Sequence, residues 1–258
     1  MTSFKVLSFD VGIKNLAYCI LDYNIVNKDY KITGWGIINL SDEEKFNTCS
    51  HVLVDKKTNV DRVCGKKASY ICNDKKSKDT ETRHFCKVHR NRFIKDFPDS
   101  VKCIAEIKKK KKVKKPLLEL NITMVEKMNE IPELLGVDEV LIENQPSLKN
   151  PHMKSIQMMI FSYFVMKGFI ENKLLNNIVM LSARNKLKIY NGEPIDASHI
   201  KDKYRQNKYL AIKYCGIMIQ TQPDEYKSQY DTSKKKDDLA DSFLQGVFYL
   251  NRQYKFIK

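Results

Sequence analysis

Long apolar runs are missing from this chain. No stretch reaches the roughly 18 consecutive apolar residues that a membrane-spanning helix needs. The opening residues, MTSFKVLSFD, lack the basic segment and the long apolar segment of a secretory signal, so a soluble, intracellular protein is expected. Glycine is scarce, nine among 258 residues, too few for a nucleotide-binding protein built on several glycine-rich phosphate loops. Acidic side chains are also in deficit: 31 Asp and Glu face 46 Lys and Arg, a formal net charge of +15. That excess predicts a polyanionic partner, nucleic acid first and an acidic membrane surface as its rival. No internal repeat is visible. What remains, at 42% hydrophobic residues, suffices for a sizeable core in one large domain or in one domain carrying an insertion.

Seven cysteines fit an intracellular chain better as thiols or metal ligands than as disulfides. Cys19, Cys103 and Cys215 stand singly in apolar surroundings and are expected to be small core residues. Cys49, Cys64, Cys72 and Cys86 instead crowd residues 46–92, a Cys-, His- and Lys-rich stretch of little apolar periodicity that reads as an inserted module. Cys86 and His89, in FCKVH, have compact ligand spacing, and Cys49 and Cys64 lie upstream. A Cys49, Cys64, Cys86, His89 set would hold a structural Zn²⁺, with Cys72, His84 or His51 open as replacements. A set of unbound cysteines in a loop is the bland alternative, but a long polar insertion needs some staple.

Residues 4–10, 15–23 and 30–40 read as three strands joined by the short polar turns DVGIKN and NIVNKD, which implies an antiparallel meander. Helical spacing then begins at Leu118. A fourth strand runs from Val137 to Glu143, followed by an apolar helix from His152 to Ile170, a fifth strand in NNIVMLSA, a helix around Tyr204 to Ile219, and a closing helix after Lys235. The fold class expected is α/β, with a mixed five-stranded sheet flanked by helices.

Within that frame one acid is out of place. Asp10 ends the first strand with apolar residues on both sides, and an unpaired buried carboxylate is expensive. Glu143 ends the fourth strand in VLIENQPS. Asp237, Asp238 and Asp241 open the closing helix, and Asp238 and Asp241 share one face. Acids in a first turn also suit the helix dipole, and a strand-ending Glu before a Pro turn is often plain surface. If the closing helix packs beside the first and fourth strands, however, the acids converge. Such a cluster repels itself unless hard cations enter it. Two Mg²⁺ ions roughly 4 Å apart would neutralise it and equip it for phosphodiester cleavage.

The stretches FDVGIKNLAYCILD, VLIENQPS and KKDDLADSFLQG together resemble the RuvC-like Holliday junction resolvases of poxviruses and related large DNA viruses, whose fold is RNase H-like. The likeness covers the first 40 residues, 137–190 and 234–250. It implies one nuclease domain over residues 1–258, in which the zinc-binding module read from its cysteines at 46–92 and a basic linker or helix at 93–115 are extra, inserted segments. It further implies an endodeoxyribonuclease that resolves four-way junctions by paired hydrolysis in viral DNA recombination, repair or replication. Asp10, Glu143, Asp238 and Asp241 match the catalytic metal ligands for two Mg²⁺, with Mn²⁺ able to substitute. Asp237 competes with Asp238 for its place. Lys186, in SARNKLK, matches a basic residue after the fifth strand and would contact phosphate, and Lys14 belongs to a turn that meets the DNA backbone.

The run KKKKKVKK, with Lys109, Lys110, Lys111 and Lys112, is a solvated charge run, a DNA grip or a nuclear targeting signal. Branched DNA, a homodimer, no membrane and no small-molecule cofactor complete the expectation, in the host cytoplasm or nucleus. The helix from His152 to Ile170 is the candidate interface, or else a core helix. Two other functions share parts of the pattern. A related nuclease acting on RNA in hybrids would use the same acids, and a non-catalytic zinc- and lysine-bearing DNA-binding protein would leave them unexplained.

Overall fold

The computed structural model describes residues 2–41, 47–54, 61–73, 82–107, 115–148 and 150–256. In chain order the elements are β1 (Ser3–Asp10), β2 (Asn15–Asn24), β3 (Asp29–Asn39), β4 (Val52–Val54), β5 (Asp61–Val63), β6 (Tyr70–Asn73), β7 (Thr82–Phe85), α1 (Lys87–Asp96) and β8 (Ile104–Glu106). They continue with α2 (Leu117–Asn129), β9 (Glu139–Glu143), α3 (Pro151–Phe164), β10 (Asn177–Leu181), α4 (Lys203–Met218), α5 (Asp224–Thr232) and α6 (Lys236–Tyr254). The chain divides into two compact units, one of Met1–Asp42 with Lys115–Lys258 and the other of Glu43–Lys114.

The larger unit is built on a five-stranded sheet in the order β10-β9-β1-β2-β3. β1, β2 and β3 form the expected antiparallel meander, while β9 runs parallel to both β1 and β10. This is the mixed, helix-flanked sheet that the sequence implied. Alternation along β1 decides what faces what, because successive side chains point to opposite sides of a strand. Leu7 and Phe9 join one core with Val140, Ile142, Met124, Ile156 and Phe164, under α2 and α3. Val6 joins the other with Cys19, Leu21, Leu141, Cys215, Phe243 and Leu244, under α4, α5 and α6. Ser8 and Asp10 share the parity of Val6, so the acid that ends β1 faces the α6 side.

α6 owes its place to an apolar stripe, Leu239, Ala240, Phe243, Leu244, Val247 and Leu250, all buried at helical spacing. It also comes unusually close to the sheet. A Cβ on Gly246 would stand 2.8 Å from Leu21 Cδ1 and 3.3 Å from Ser8 Cβ, so a side chain there would press the helix off the sheet. Gln245 Nε2 donates to Ser8 Oγ (3.0 Å) and Phe9 O (3.1 Å), and Trp35 Nε1 donates to Leu239 O (3.1 Å). These contacts fix the register of the helix against β1 and β3.

On the opposite face, α3 starts at Pro151 under an Asn150 cap that accepts from the Met153 N–H. Beyond Phe164 the helix continues as a wider π-helical stretch, Val165–Asn172, so the apolar helix expected from His152 to Ile170 is present in two geometries. α5 was not foreseen. Of its nine residues only Tyr230 is buried, which leaves no apolar stripe to read.

The smaller unit holds the β4–β5 hairpin, a three-stranded antiparallel sheet in the order β7-β6-β8, and α1. Its strands are three or four residues long, too short to show alternation in sequence. One cysteine expectation fails here. Cys19 and Cys215 are fully buried core residues, but Cys103 is only half-buried, and its Sγ lies 2.7 Å from that of Cys72. Cys103 closes a 3-10 turn, Pro98–Cys103, rather than entering a core.

Candidate active site and metal centre

β1 and β9 lie side by side with Phe9 opposite Ile142. One step further along the two parallel strands are Asp10 and Glu143, and both share the parity that faces α6. Gly12 tightens the turn that follows, since a Cβ there would stand 2.4 Å from the Asn15 carbonyl oxygen. Asp241 is one helical turn before Gln245, the residue that anchors α6 to β1. Three elements remote in sequence therefore bring Asp10, Glu143 and Asp241 into one electrostatic group.

Lys186 holds that group together. Its Nζ is 2.8 Å from Asp241 Oδ2 and 3.9 Å from Glu143 Oε1, with all three side chains between 13% and 18% exposed. Burial, then the neighbouring charges of Glu143 and Asp241, push the Asp10 carboxyl well above its ordinary range, against the opposing pull of Lys186. Burial likewise raises the Asp241 carboxyl, although Lys186 resists it. Burial disfavours the Lys186 ammonium, but Asp241, Asp10 and Glu143 outweigh it, so its pKa moves up. One cation thus serves three acids, and at Asp10 and Asp241 the balance still disfavours the charged form.

The two candidate acids at the head of α6 differ in their partners. Asp237 is engaged by Lys208, whose Nζ is 2.7 Å away. Burial would raise the Asp237 carboxyl, but the Lys208 hydrogen bond and charge prevail and lower it. Asp238 instead accepts from Asn15 Nδ2 at 3.1 Å, which turns it toward the start of β2, and Lys235 is 3.9 Å from it. Glu143 is oriented by Gln145 Nε2, which donates to its Oε2 at 2.8 Å. Gln145 is held in turn by the buried Gln157, whose Oε1 accepts from the Gln145 N–H at 2.9 Å.

The sequence placed Asn15 with Gly12 and Lys14 in a turn-shaping, backbone-contacting motif and gave no direct sign of Gln145 or Lys208. Gln145 was within reach, because it stands two residues beyond Glu143 and so could share its side. Nothing in the sequence ties Lys208 to Asp237, 29 residues away. Lys14 is exposed. Lys109, Lys110, Lys111 and Lys112 lie outside the described residues.

A second group of ligand-type side chains stands in the smaller unit. The donor atoms of Cys49, Cys64, Cys86 and His89 all lie within 4.8 Å of one another. His89 Nδ1 is 3.4 Å from Cys49 Sγ and 3.5 Å from Cys86 Sγ. Tetrahedral Zn²⁺ with Zn–S near 2.3 Å and Zn–N near 2.0 Å requires an N–S separation of about 3.5 Å. The set could hold zinc. Cys86 caps α1, and His89 occupies its first turn. Burial pushes the Cys86 thiol up, yet hydrogen bonds from the His89 backbone and from the Cys49 and Cys64 side chains outweigh it and lower its pKa, which favours the thiolate a metal needs. Cys49 receives the Gly65 N–H at its carbonyl, and Gly65 takes a left-handed φ of 65° that suits glycine. The open alternatives Cys72, His84 and His51 are not members of the group, although the His51 ring stacks on His89 at 4.1 Å.

No described helix is long and apolar enough to cross a membrane. No protein-family model matches the chain. An uncharacterised protein of Acanthamoeba polyphaga mimivirus is 29% identical to it over 322 residues, covering 95% of this chain and 74% of that protein. Among solved structures the chain is similar to the fowlpox virus Holliday junction resolvase, with a TM-score of 0.46 and 14% identity over 97% of this chain and 99% of that one. It is also similar to the yeast mitochondrial Holliday junction resolvase, with a TM-score of 0.45 and 18% identity over 98% of this chain and 85% of that one.

Proposed function

We propose that this protein is a divalent-metal-dependent endonuclease that cuts branched DNA, four-way junctions foremost. The observation that carries the reading is the convergence of Asp10, Glu143 and Asp241 on one side of the sheet, with Asp238 three residues before Asp241 on the same helix. This is an all-oxygen donor set whose burial and mutual repulsion one lysine does not balance. Hard divalent cations suit such donors, Mg²⁺ first and Mn²⁺ as a substitute. When bound, they supply charge stabilisation and an acidified water for phosphodiester hydrolysis.

The chain's own residues divide the remaining work. Asp10, Glu143, Asp238 and Asp241 would hold the cations. Gln145 and Asn15 fix the rotamers of Glu143 and Asp238, and Gln245 and Gly246 set the depth of α6. Lys186 holds the acids together by charge and is the candidate for phosphate contact, and the surface excess of Lys and Arg carries affinity for the DNA backbone. Lys14 and the Lys109–Lys112 run are further candidates for that contact.

Resolving a junction takes paired cuts on opposing strands, so the reading includes a two-fold homodimer. The exposed Met158, Met166, Phe169 and Ile170 on α3 and its continuation supply an apolar face for it. The smaller unit is read as an inserted module with a structural Zn²⁺ on Cys49, Cys64, Cys86 and His89. A junction substrate fits a role in DNA recombination or replication, and the mimivirus relative supports a viral setting for it. The deciding experiment sets a synthetic four-way junction, a linear duplex and an RNA–DNA hybrid side by side, with Mg²⁺ or with EDTA. Paired, Mg²⁺-dependent nicks in the junction are expected. Preferential cutting of the hybrid, or cleavage that survives EDTA, overturns the assignment.

A further inference from the structure

Cys72 and Cys103 are the cysteines of the smaller unit that stand outside the ligand group. Their sulfurs are 2.7 Å apart, well inside van der Waals contact. Backbone spacing allows the approach, and because Cys103 ends the 3-10 turn rather than belonging to β8, the strand's alternation does not turn its side chain away. In the β6–β8 ladder Cys72 is directly opposite Ile104, and Cys103 is the residue just before it. Opposite Cα atoms in an antiparallel pair are about 5 Å apart and a diagonal neighbour about 6 Å. Both values lie within the roughly 4.4–6.8 Å that a disulfide spans without backbone movement. The two sulfurs differ in access: Cys72 is 3% exposed, whereas Cys103 is half-buried at the end of its 3-10 turn, its Sγ pointing at the Ser100 carbonyl from 2.9 Å. Cys19 and Cys215 are fully buried in the other unit, and the other three sulfurs converge on His89.

We propose that Cys72 and Cys103 are a redox pair that closes to a disulfide under mild oxidation by a hydroperoxide. Cys103, the accessible sulfur, attacks the peroxide. An S–O bond forms, the O–O bond breaks, and one water leaves when the oxidant is hydrogen peroxide. The Cys72 sulfur then displaces the hydroxyl from the Cys103 sulfenic acid. The S–S bond forms, the S–O bond breaks, and a second water carries off the Cys72 proton. Two thiols lose two electrons and one peroxide gains them.

The closed link has a structural consequence, which rests on the zinc reading above. The segment between Cys72 and Cys103 contains β7 and α1, and with them Cys86 and His89. Tying its ends removes loose conformations of half the ligand set, so the oxidised protein should release metal more slowly. Zinc on the other three sulfurs would shield them, leaving this pair as the site of first oxidation.

The test uses the full chain purified with its metal and treated with one equivalent of hydrogen peroxide. Remaining thiols are alkylated and the peptides mapped without reductant. The expected result is one Cys72–Cys103 crosslink, loss of two alkylatable thiols, and full reversal by dithiothreitol. Cys103→Ser and Cys72→Ser should each abolish the crosslink. A crosslink among Cys49, Cys64 and Cys86 in its place, or Cys72 and Cys103 both still alkylatable, overturns the pair. Zinc transfer to a chelator should slow several-fold after oxidation in the unsubstituted chain and stay unchanged in Cys103→Ser. Equal rates overturn the clamp. Zinc content of the reduced protein is read separately, so a missing metal sinks the zinc reading while the peptide map still judges the pair.

Discussion

Replacing Lys186 with methionine removes the cation from the carboxylate group and keeps most of the side-chain volume. At an effective dielectric constant near 20, charges at the separations from Asp241 and Glu143 attract by about 6 and about 4 kcal/mol. Desolvation of the three groups offsets most of that gain. Losing one partner of a buried pair costs about 3–5 kcal/mol, and protonation of the stranded acids provides partial relief, so Lys186→Met should destabilise the metal-free protein by about 2–4 kcal/mol near neutral pH.

The effect must depend on pH in one direction. Asp10 and Asp241 have folded pKa values raised above the unfolded value near 3.9. The native state therefore binds more protons than the unfolded state in the window between, and these acids lower stability as pH rises through it. Without Lys186 that window widens upward. The deficit of the variant should be largest above the raised carboxyl values and shrink as pH falls through them, because a neutral carboxyl needs no cation. Trp35, the single tryptophan, is 4% exposed beneath α6, so its fluorescence reports unfolding of this unit. Urea titrations at about pH 5 and about pH 8, in EDTA and in millimolar Mg²⁺, give the four stabilities needed. Mg²⁺ should restore most of the loss at the higher pH. A deficit that is the same at both pH values, or that ignores Mg²⁺, refutes the electrostatic account of the cluster.

Gly246→Ala should cost about 1–3 kcal/mol and slow cleavage, since the added Cβ pushes α6 off Leu21 and Ser8; urea unfolding together with cleavage rates checks both effects. Gln145→Ala should lower the cleavage rate about tenfold or more through a misoriented Glu143 while leaving the junction Kd nearly unchanged; an unaltered single-turnover rate would remove Gln145 from the site. Metal analysis of protein purified without chelator should find about one zinc per chain, lost in Cys86→Ser, with the unfolding of the larger unit little changed.

Much of the grouping of the acids was legible because its signals are local and of fixed period. Asp10 interrupts an apolar strand, and the parity of Val6, Ser8 and Asp10 decides the face it takes. Glu143 ends an equally apolar strand, and Asp238 and Asp241 fall one helical step apart. The meander was legible from its two short polar turns. What was not legible depends on register or on distance along the chain. No sequence pattern pairs Lys186 with Asp241 or Lys208 with Asp237, and the choice between Asp237 and Asp238 turns on those partners. Cys103 was expected in a core because Val101 and Ile104 flank it, but a 3-10 turn and the β6–β8 register carry its sulfur to Cys72 instead. The short strands β4 to β8 have too few residues for alternation to appear, and in α5 a single buried tyrosine leaves no stripe.

The account stands most directly on single-turnover cleavage of a four-way junction, measured beside junction binding, for Asp10→Asn, Glu143→Gln and Asp241→Asn. Each variant keeps the side-chain shape and removes a charge that the cluster brings together. The account predicts that all three lose Mg²⁺-dependent cleavage by several orders of magnitude yet bind the junction about as tightly as the unsubstituted protein, since phosphate contacts by Lys and Arg carry the affinity. A Glu143→Gln protein that still cuts the junction at an undiminished rate would contradict it.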